Sequence, residues 1–293
     1  MNYKPLIRRI IEGYIDSPID MLGIGDADGE YKYMRVLEDS YIRTIRDIDS
    51  LCNFDRKKNV LEIGSFLGVA SIALKTIGYN VFALDIPEFY QSRTLRALYE
   101  KNGIPFNGVN LRQYALPYED QFFDAVIVCE VIEHLNCNPL PVLKEINRVL
   151  RRGGYLYIAT PNQAWINKRI GLLLGASIHD PIGHYFKQLD RNGNMIVGLH
   201  WREYVMSEIR EIVGKMGFQV VRCYYFGQKS TIILKSGITT FRIRSPIRSL
   251  ISLMMSLFFS VLNAIPSCKM SLVVISKKVD EPNYQFWLTE ANS

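Results

Sequence analysis

Residues 60–71 read VLEIGSFLGVAS, and Asp85 stands 21 positions after Gly64. The apolar run Val60–Ile63 predicts a buried strand. Gly64 and Gly68 break it, and an apolar helical pattern begins. A second apolar run, Val81–Leu84, ends on the acid. Strand, glycine turn, helix, strand and acid in this order lay a nucleoside-containing ligand across the carboxyl ends of two parallel strands. Glycine lets ligand atoms approach bare backbone, and an acid in that place accepts both ribose hydroxyls. The stretch therefore predicts an adenosine-type cofactor site.

Outward from it, strands are expected at 59–63, 80–84, 107–111, 123–129, 154–160, 218–226 and 271–276. Helices are expected at 3–20, 31–51, 67–77, 88–102, 139–151 and 205–216. Such alternation implies a largely parallel sheet covered by helices on both faces. Residues 1–52 read as an N-terminal helical cap and 53–293 as the main domain. Within that domain, 161–204 has no sustained period and reads as a lid over the site. Residues 228–268 form an apolar helical insertion before the last strand.

Composition narrows the class. An apolar share of 48% and a charged share of 22% are those of a globular chain. The five cysteines are scattered without a CxxC pair, which favours a reducing compartment over a disulfide scaffold. The first 16 residues hold no uninterrupted apolar core and no small-residue cleavage site, so a cytoplasmic location is expected. A nucleic-acid enzyme would place a basic stripe with interleaved aromatics around the cleft. The clearest basic cluster is instead Arg242, Arg244 and Arg248, beside the uncharged segment 249–265. No nucleic-acid partner is expected.

Three adenosine cofactors compete. A P-loop needs GxxxxGK[ST], and no such lysine follows Gly64 and Gly68. A dinucleotide turn needs GxGxxG, but Phe66 stands where the pyrophosphate-facing glycine belongs, and Glu62 inside the strand would crowd a diphosphate. S-adenosylmethionine has no phosphate, and its ammonium and sulfonium welcome acids around the turn.

VLEIGSFLG, then ALDI, then LPYEDQFFDAVIVCEVIEHL, then LKEINRVLRRGGYLYIATPN together resemble the class I S-adenosylmethionine-dependent methyltransferases over roughly 59–226. The likeness is greatest to the ubiquinone-biosynthesis O-methyltransferase type and to bacterial methyltransferases of surface-polysaccharide synthesis. The resemblance implies an α/β, Rossmann-like, seven-stranded mixed sheet with its last strand antiparallel. It implies that Gly64, Ser65 and Gly68 form the cofactor turn, the first two along the methionine part, with Glu62 ordering that turn. It places Asp85 on the ribose hydroxyls, Ile86 on adenine, Tyr114 and Ala115 near the adenine edge, and Cys129 and Glu130 at the end of the fourth strand. Two departures stand out. Phe66 replaces a usual glycine, and Arg112 stands near the place of the family's usual adenine-side acid. Arg43 is within conceivable reach of the cofactor carboxylate.

Glu130, Glu133 and His134, followed later by His200 with Glu203 and Tyr204, resemble the magnesium site of small-RNA 2′-O-methyltransferases. A divalent cation there would bind vicinal acceptor oxygens and lower the pKa of one. Without a metal, His134 or His200 would be the general base, or Glu133 and His134 only cap a helix. His179, His184, Trp165, Arg169 and Tyr185 in the lid read either as a sugar-holding surface or as a loop packed on itself.

The segment 249–265 would span about 26 Å as a helix, marginal for a bilayer. A single crossing would leave strand 271–276 on the wrong side of the membrane. Two readings stay open: peripheral membrane contact through 242–266, or packing on the domain or on a second subunit. The expected reaction is methyl transfer to the hydroxyl of a sugar, a small-molecule or lipid-linked glycan acceptor. The runner-up acceptor is a quinone precursor, and the rival from another class is a non-catalytic cofactor-binding scaffold.

Overall fold

The computed structural model describes residues 2–16, 19, 27–186, 198–227 and 265–283. Three helices come first: α1 (Lys4–Asp16), α2 (Ala27–Val36) and α3 (Glu38–Leu51). Then follow β1 (Asn59–Ile63), α4 (Val69–Thr76), β2 (Asn80–Asp85), α5 (Pro87–Tyr90), α6 (Arg93–Lys101), β3 (Phe106–Gly108), β4 (Phe123–Cys129) and α7 (Pro139–Val149). The chain continues through β5 (Leu150–Pro161), α8 (Ile166–Leu173), α9 (Met206–Lys215), β6 (Phe218–Phe226) and β7 (Ser271–Lys278). The strands form one seven-stranded sheet in the order β3-β2-β1-β4-β5-β7-β6. All neighbours run parallel except β7, which is antiparallel to both β5 and β6.

The strand period of two divides the core into two layers. Val60, Ala125, Ile127, Tyr157, Ala159, Val273 and Ile275 face α1, α3 and α4. Their neighbours Leu61, Val126, Val128, Leu156, Ile158, Leu272 and Val274 face α7 and α9. Both faces are thus covered, which explains the unbroken apolar runs of the parallel strands.

One buried carboxylate ties the helical cap to the sheet layer. Asp49 on α3 is fully buried and accepts from the Tyr3 hydroxyl, from Tyr79 Oη at 2.7 Å and from Arg56 Nη2 at 3.1 Å. Residues from before α1, from α3, from the approach to β1 and from the approach to β2 therefore meet at one side chain. Burial pushes the Asp49 carboxyl up, but the hydrogen bonds from Arg56, Tyr3 and Tyr79 outweigh it and hold the group below its ordinary value.

Several element bounds differ from those expected. The helix expected over 31–51 is two, broken at Leu37, and that over 88–102 is two, broken at Gln91–Ser92. There the Ser92 hydroxyl caps α6 by accepting from Leu95 N at 3.1 Å. The strand expected over 107–111 ends at Gly108, and a 3-10 turn takes Leu111–Gln113. The stretch expected as a lid, 161–204, contains structure of its own, α8 and a 3-10 turn at Ile182–Phe186. Most of the expected helical insertion, 228–264, and the middle of the expected lid, 187–197, lie outside the described residues.

Candidate active site

A cleft of about 850 Å³ opens at the carboxyl ends of β1, β2 and β4, under α2 and α3. Its floor is the turn after β1. Gly64 has φ +70°, and a Cβ there would lie 2.2 Å from Val131 Cγ2, so only glycine fits. Gly68 has φ +73° and starts α4 against the Tyr99 ring. Phe66 also holds a positive φ of +46°. The turn keeps its left-handed step without the usual glycine because Phe66 is tied on every side. Its N–H donates to Asp85 Oδ2 at 2.6 Å, its carbonyl accepts from Tyr99 Oη at 3.2 Å, and its ring packs edge-on against Phe89.

Asp85 ends β2 at the cleft wall. Phe66 N and Ile86 N each donate to one of its oxygens, at 2.6 and 2.8 Å, which fixes the carboxyl plane and leaves a further lone pair on each oxygen. Burial pushes Asp85 up to about 6, against the pull of those two amides. Glu62 also lines the cleft and binds the Ser71 hydroxyl, holding the first turn of α4. Burial pushes it up to about 7.

A second cluster stands across the cleft. Glu130 adopts φ +53°, a left-handed step for a non-glycine residue directly after β4. Burial, then the neighbouring Glu133 charge, push its carboxyl well above the usual range. Glu133 is fully buried; Thr160 Oγ1 donates to its Oε2 at 2.9 Å, and its Oε1 has no hydrogen-bond partner among the described residues. Residues 199–202 strap this turn: Trp201 N donates to Glu133 O at 2.8 Å, and His134 Nδ1 contacts Leu199 O at 2.8 Å. The His134 and His200 rings meet edge-to-face at 4.8 Å. Burial, then His200, push the His134 pKa down. Ligand atoms of Glu133, His134 and His200 lie within 4.8 Å of one another. These residues fit a divalent cation: an orphaned buried carboxylate oxygen, two imidazoles and a second carboxyl, Glu130, on the same cleft.

Of the residues expected to hold the cofactor, Glu62, Gly64, Ser65, Asp85, Ile86, Cys129 and Glu130 line the cleft. Gly68 shapes the turn behind the wall. Tyr114 and Ala115 are not among the lining residues. The 3-10 turn before them, and φ +52° at Tyr114, carry the chain outward, and Asn110, Leu111 and Arg112 take that wall. Arg43 is the residue whose spacing said least. It is buried against the cleft, with Nε donating to Tyr157 Oη at 3.2 Å, the guanidinium over the Phe226 ring at 4.1 Å and Nη1 without a hydrogen-bond partner among the described residues. Tyr33, Leu37, Ser40 and Tyr41 from the helical cap close the roof, a contribution with no sequence signal beyond helical spacing.

Residues 61–158 match a family model described as a methyltransferase domain. The chain is similar to the class I S-adenosylmethionine-dependent methyltransferases. Their cofactor is S-adenosylmethionine. Among curated relatives, the chain is similar to the ubiquinone biosynthesis O-methyltransferase of Pseudomonas aeruginosa, 25% identical over 198 residues, 64% of this chain and 79% of that one. It is also similar to that of Xanthomonas campestris pv. campestris, 24% identical over 154 residues, 51% of this chain. The match spans 64% of the Xanthomonas relative, a little under two thirds of its length. The methyltransferase fold is shared with a SAM-dependent methyltransferase from Archaeoglobus fulgidus, TM-score 0.53 at 17% identity, covering 84% of this chain and 99% of that one. It is shared too with a protein from Galdieria sulphuraria, TM-score 0.52 at 15% identity, covering 85% of this chain and 89% of that one.

Proposed function

We propose that the protein transfers the methyl group of S-adenosylmethionine to an acceptor oxygen. The observation that carries this reading is the facing pair of sites in one cleft: the Gly64–Asp85 turn on one side, and Glu130, His134 and His200 on the other, with the buried Glu133 behind them. Asp85 would accept the ribose hydroxyls with its free lone pairs, and the unpartnered Nη1 of Arg43 would meet the cofactor carboxylate. Glu133, His134 and His200, with Glu130, would hold a divalent cation. A cation bound there would supply charge stabilisation for an ionising acceptor hydroxyl. The sequence resemblance favours magnesium, and two imidazoles beside two carboxylates suit manganese or zinc as well. The residues themselves align the acceptor. The sulfonium is already a good electrophile, so alignment is most of what the transfer needs.

For the acceptor we propose a sugar hydroxyl on a lipid-linked glycan. Trp201, half-exposed on the cleft wall, offers a ring face for a sugar. On the lid, Leu172, Leu173, Leu174, Ile182 and Phe186 are all more than half exposed, which suits an acceptor carried at a membrane surface. The segment 242–266, for which membrane contact and packing on protein both stay open, lies almost wholly outside the described residues, and no described helix is long and apolar enough to cross a membrane. A second reading, a lipid-linked quinone precursor, draws on the names of the curated relatives. Radiolabelled S-adenosylmethionine offered with a lipid-linked sugar and, separately, a prenylated catechol tests the choice. Label in neither product would sink both acceptors.

Asp85→Ala is expected to weaken S-adenosylmethionine binding by about 1–3 kcal/mol, the scale of lost charge-assisted hydrogen bonds. Because the ribose hydroxyls donate to the ionised carboxylate, wild-type affinity should also fall as pH drops through about 6. Calorimetry across pH 5–8 (roughly two units around that value) reads both effects. An affinity unchanged by the substitution contradicts the ribose assignment.

A further inference from the structure

Each imidazole at the site is engaged at Nδ1. His134 Nδ1 lies 2.8 Å from the Leu199 carbonyl. A carbonyl only accepts, so His134 carries its proton on Nδ1 and its lone pair on Nε2. His200 Nδ1 lies 2.7 Å from Glu203 Oε1. Glu203 is itself nearly buried and ion-paired with Lys168, which stands on α8 thirty-five residues earlier. The His200 amide also donates to Asp180 Oδ2 at 2.8 Å, so the lid grips this residue by main chain and side chain together. His134 is held by the strap's own backbone, whereas the His200 ring is held by a side chain that a lid helix keeps in place. Neither Lys168 nor Glu203 lines the cleft.

We propose that Lys168 and Glu203 are positioning residues: docked α8, through Lys168, holds Glu203 where it fixes the Nδ1–H form of His200 and so leaves the Nε2 lone pair free beside Glu133 and His134. The assignment rests on reading the cluster as the methyl-transfer centre, and it makes the assembled centre conditional on a seated lid. A carboxylate or carbonyl on the far side of an imidazole sets which nitrogen is free for chemistry. Here that setting is delivered from an element outside the cleft.

The test is the tautomer itself, read by long-range imidazole proton–nitrogen spectra of the 15N-labelled full chain at pH about 8. His200→Gln assigns the signals. Wild-type His200 and His134 are both expected as Nδ1–H. Glu203→Leu is expected to move His200 to the Nε2–H form or to averaging, with His134 unchanged. Lys168→Met is expected to move it part of the way, and Glu203→Gln, which still offers an accepting oxygen, to restore Nδ1–H. A purely structural role would disturb both histidines or neither. Wild-type His200 as Nε2–H, or an Nδ1–H signal that survives Glu203→Leu, overturns the proposal. S-adenosylmethionine calorimetry on the same samples keeps the two readings apart. Unchanged affinity throughout is expected, and a wild type that fails to bind overturns the methyl-transfer reading while leaving the tautomer result standing.

Discussion

Glu133→Gln is expected to lower methyl transfer by roughly 100-fold or more, the scale of losing several kcal/mol of charge stabilisation at the reacting oxygen. S-adenosylmethionine affinity should stay within about threefold, because the cofactor groups assigned to Asp85 and Arg43 are untouched, and about threefold is under 1 kcal/mol. The substitution keeps the shape of the side chain, and an amide oxygen can still accept from Thr160 Oγ1, so the fold should persist. What it removes is the ionisable carboxyl itself, which burial pushes up to about 7 and whose Oε1 has no hydrogen-bond partner among the described residues. Two measurements check this: release of S-adenosylhomocysteine with whichever acceptor supports turnover, and manganese binding followed by electron paramagnetic resonance. Wild-type protein that binds no manganese, and turns over equally after dialysis against EDTA, would remove the metal from the mechanism and leave His134 or His200 as the base.

Asp49→Ala is expected to cost about 3 kcal/mol of stability, near the lower end for breaking a buried ion pair, since Arg56 is partly exposed and can rehydrate. It leaves the Tyr3 and Tyr79 hydroxyls without their acceptor inside the protein. For a chain of this size the melting temperature should fall by about 6–12 °C. The sign with pH follows from the direction of the Asp49 shift. Its folded pKa lies below its unfolded value, so its contribution is complete above the usual carboxylate range and disappears as pH falls through the folded pKa. The gap between wild type and variant should therefore be widest near neutrality and close in acid. Thermal unfolding at pH 7 and near pH 3 (roughly a unit below the ordinary value) measures it. A gap that stays constant would mean that Asp49 acts by packing and not by charge.

The parts of the fold that were legible in the sequence are those buried on both faces. β1 and β4 begin and end where expected, because a parallel strand packed on both sides is a nearly continuous apolar run. What was missed lies where burial does not write the pattern. In α8 only Ile166 is buried, and the residues after it, Leu172 to Leu174, are exposed, so no helical stripe marks the element. The break at Ser92 did leave a signal, a serine three residues before Leu95, hidden inside an otherwise continuous apolar period. In the site, the residues before and after the glycine turn could be placed because strand ends fix them to within a residue. Tyr114 and Ala115 could not, since a single 3-10 turn redirects everything after it. Arg43, Lys168 and Glu203 reach their partners only through tertiary packing, at separations that no local pattern records.

The place of β7 bears on how this chain is made. The strand that joins β5 to β6 leaves the ribosome after both of them, with the connection from Gly227 to Ile265 synthesised in between. Until Ser271–Lys278 emerges, Tyr155–Pro161 presents an open ladder of backbone groups, and β6 has no strand to pair with in the finished order. The nascent protein thus carries an adhesive edge through the interval in which the residues between are added, and the insertion's length sets the duration of that exposure.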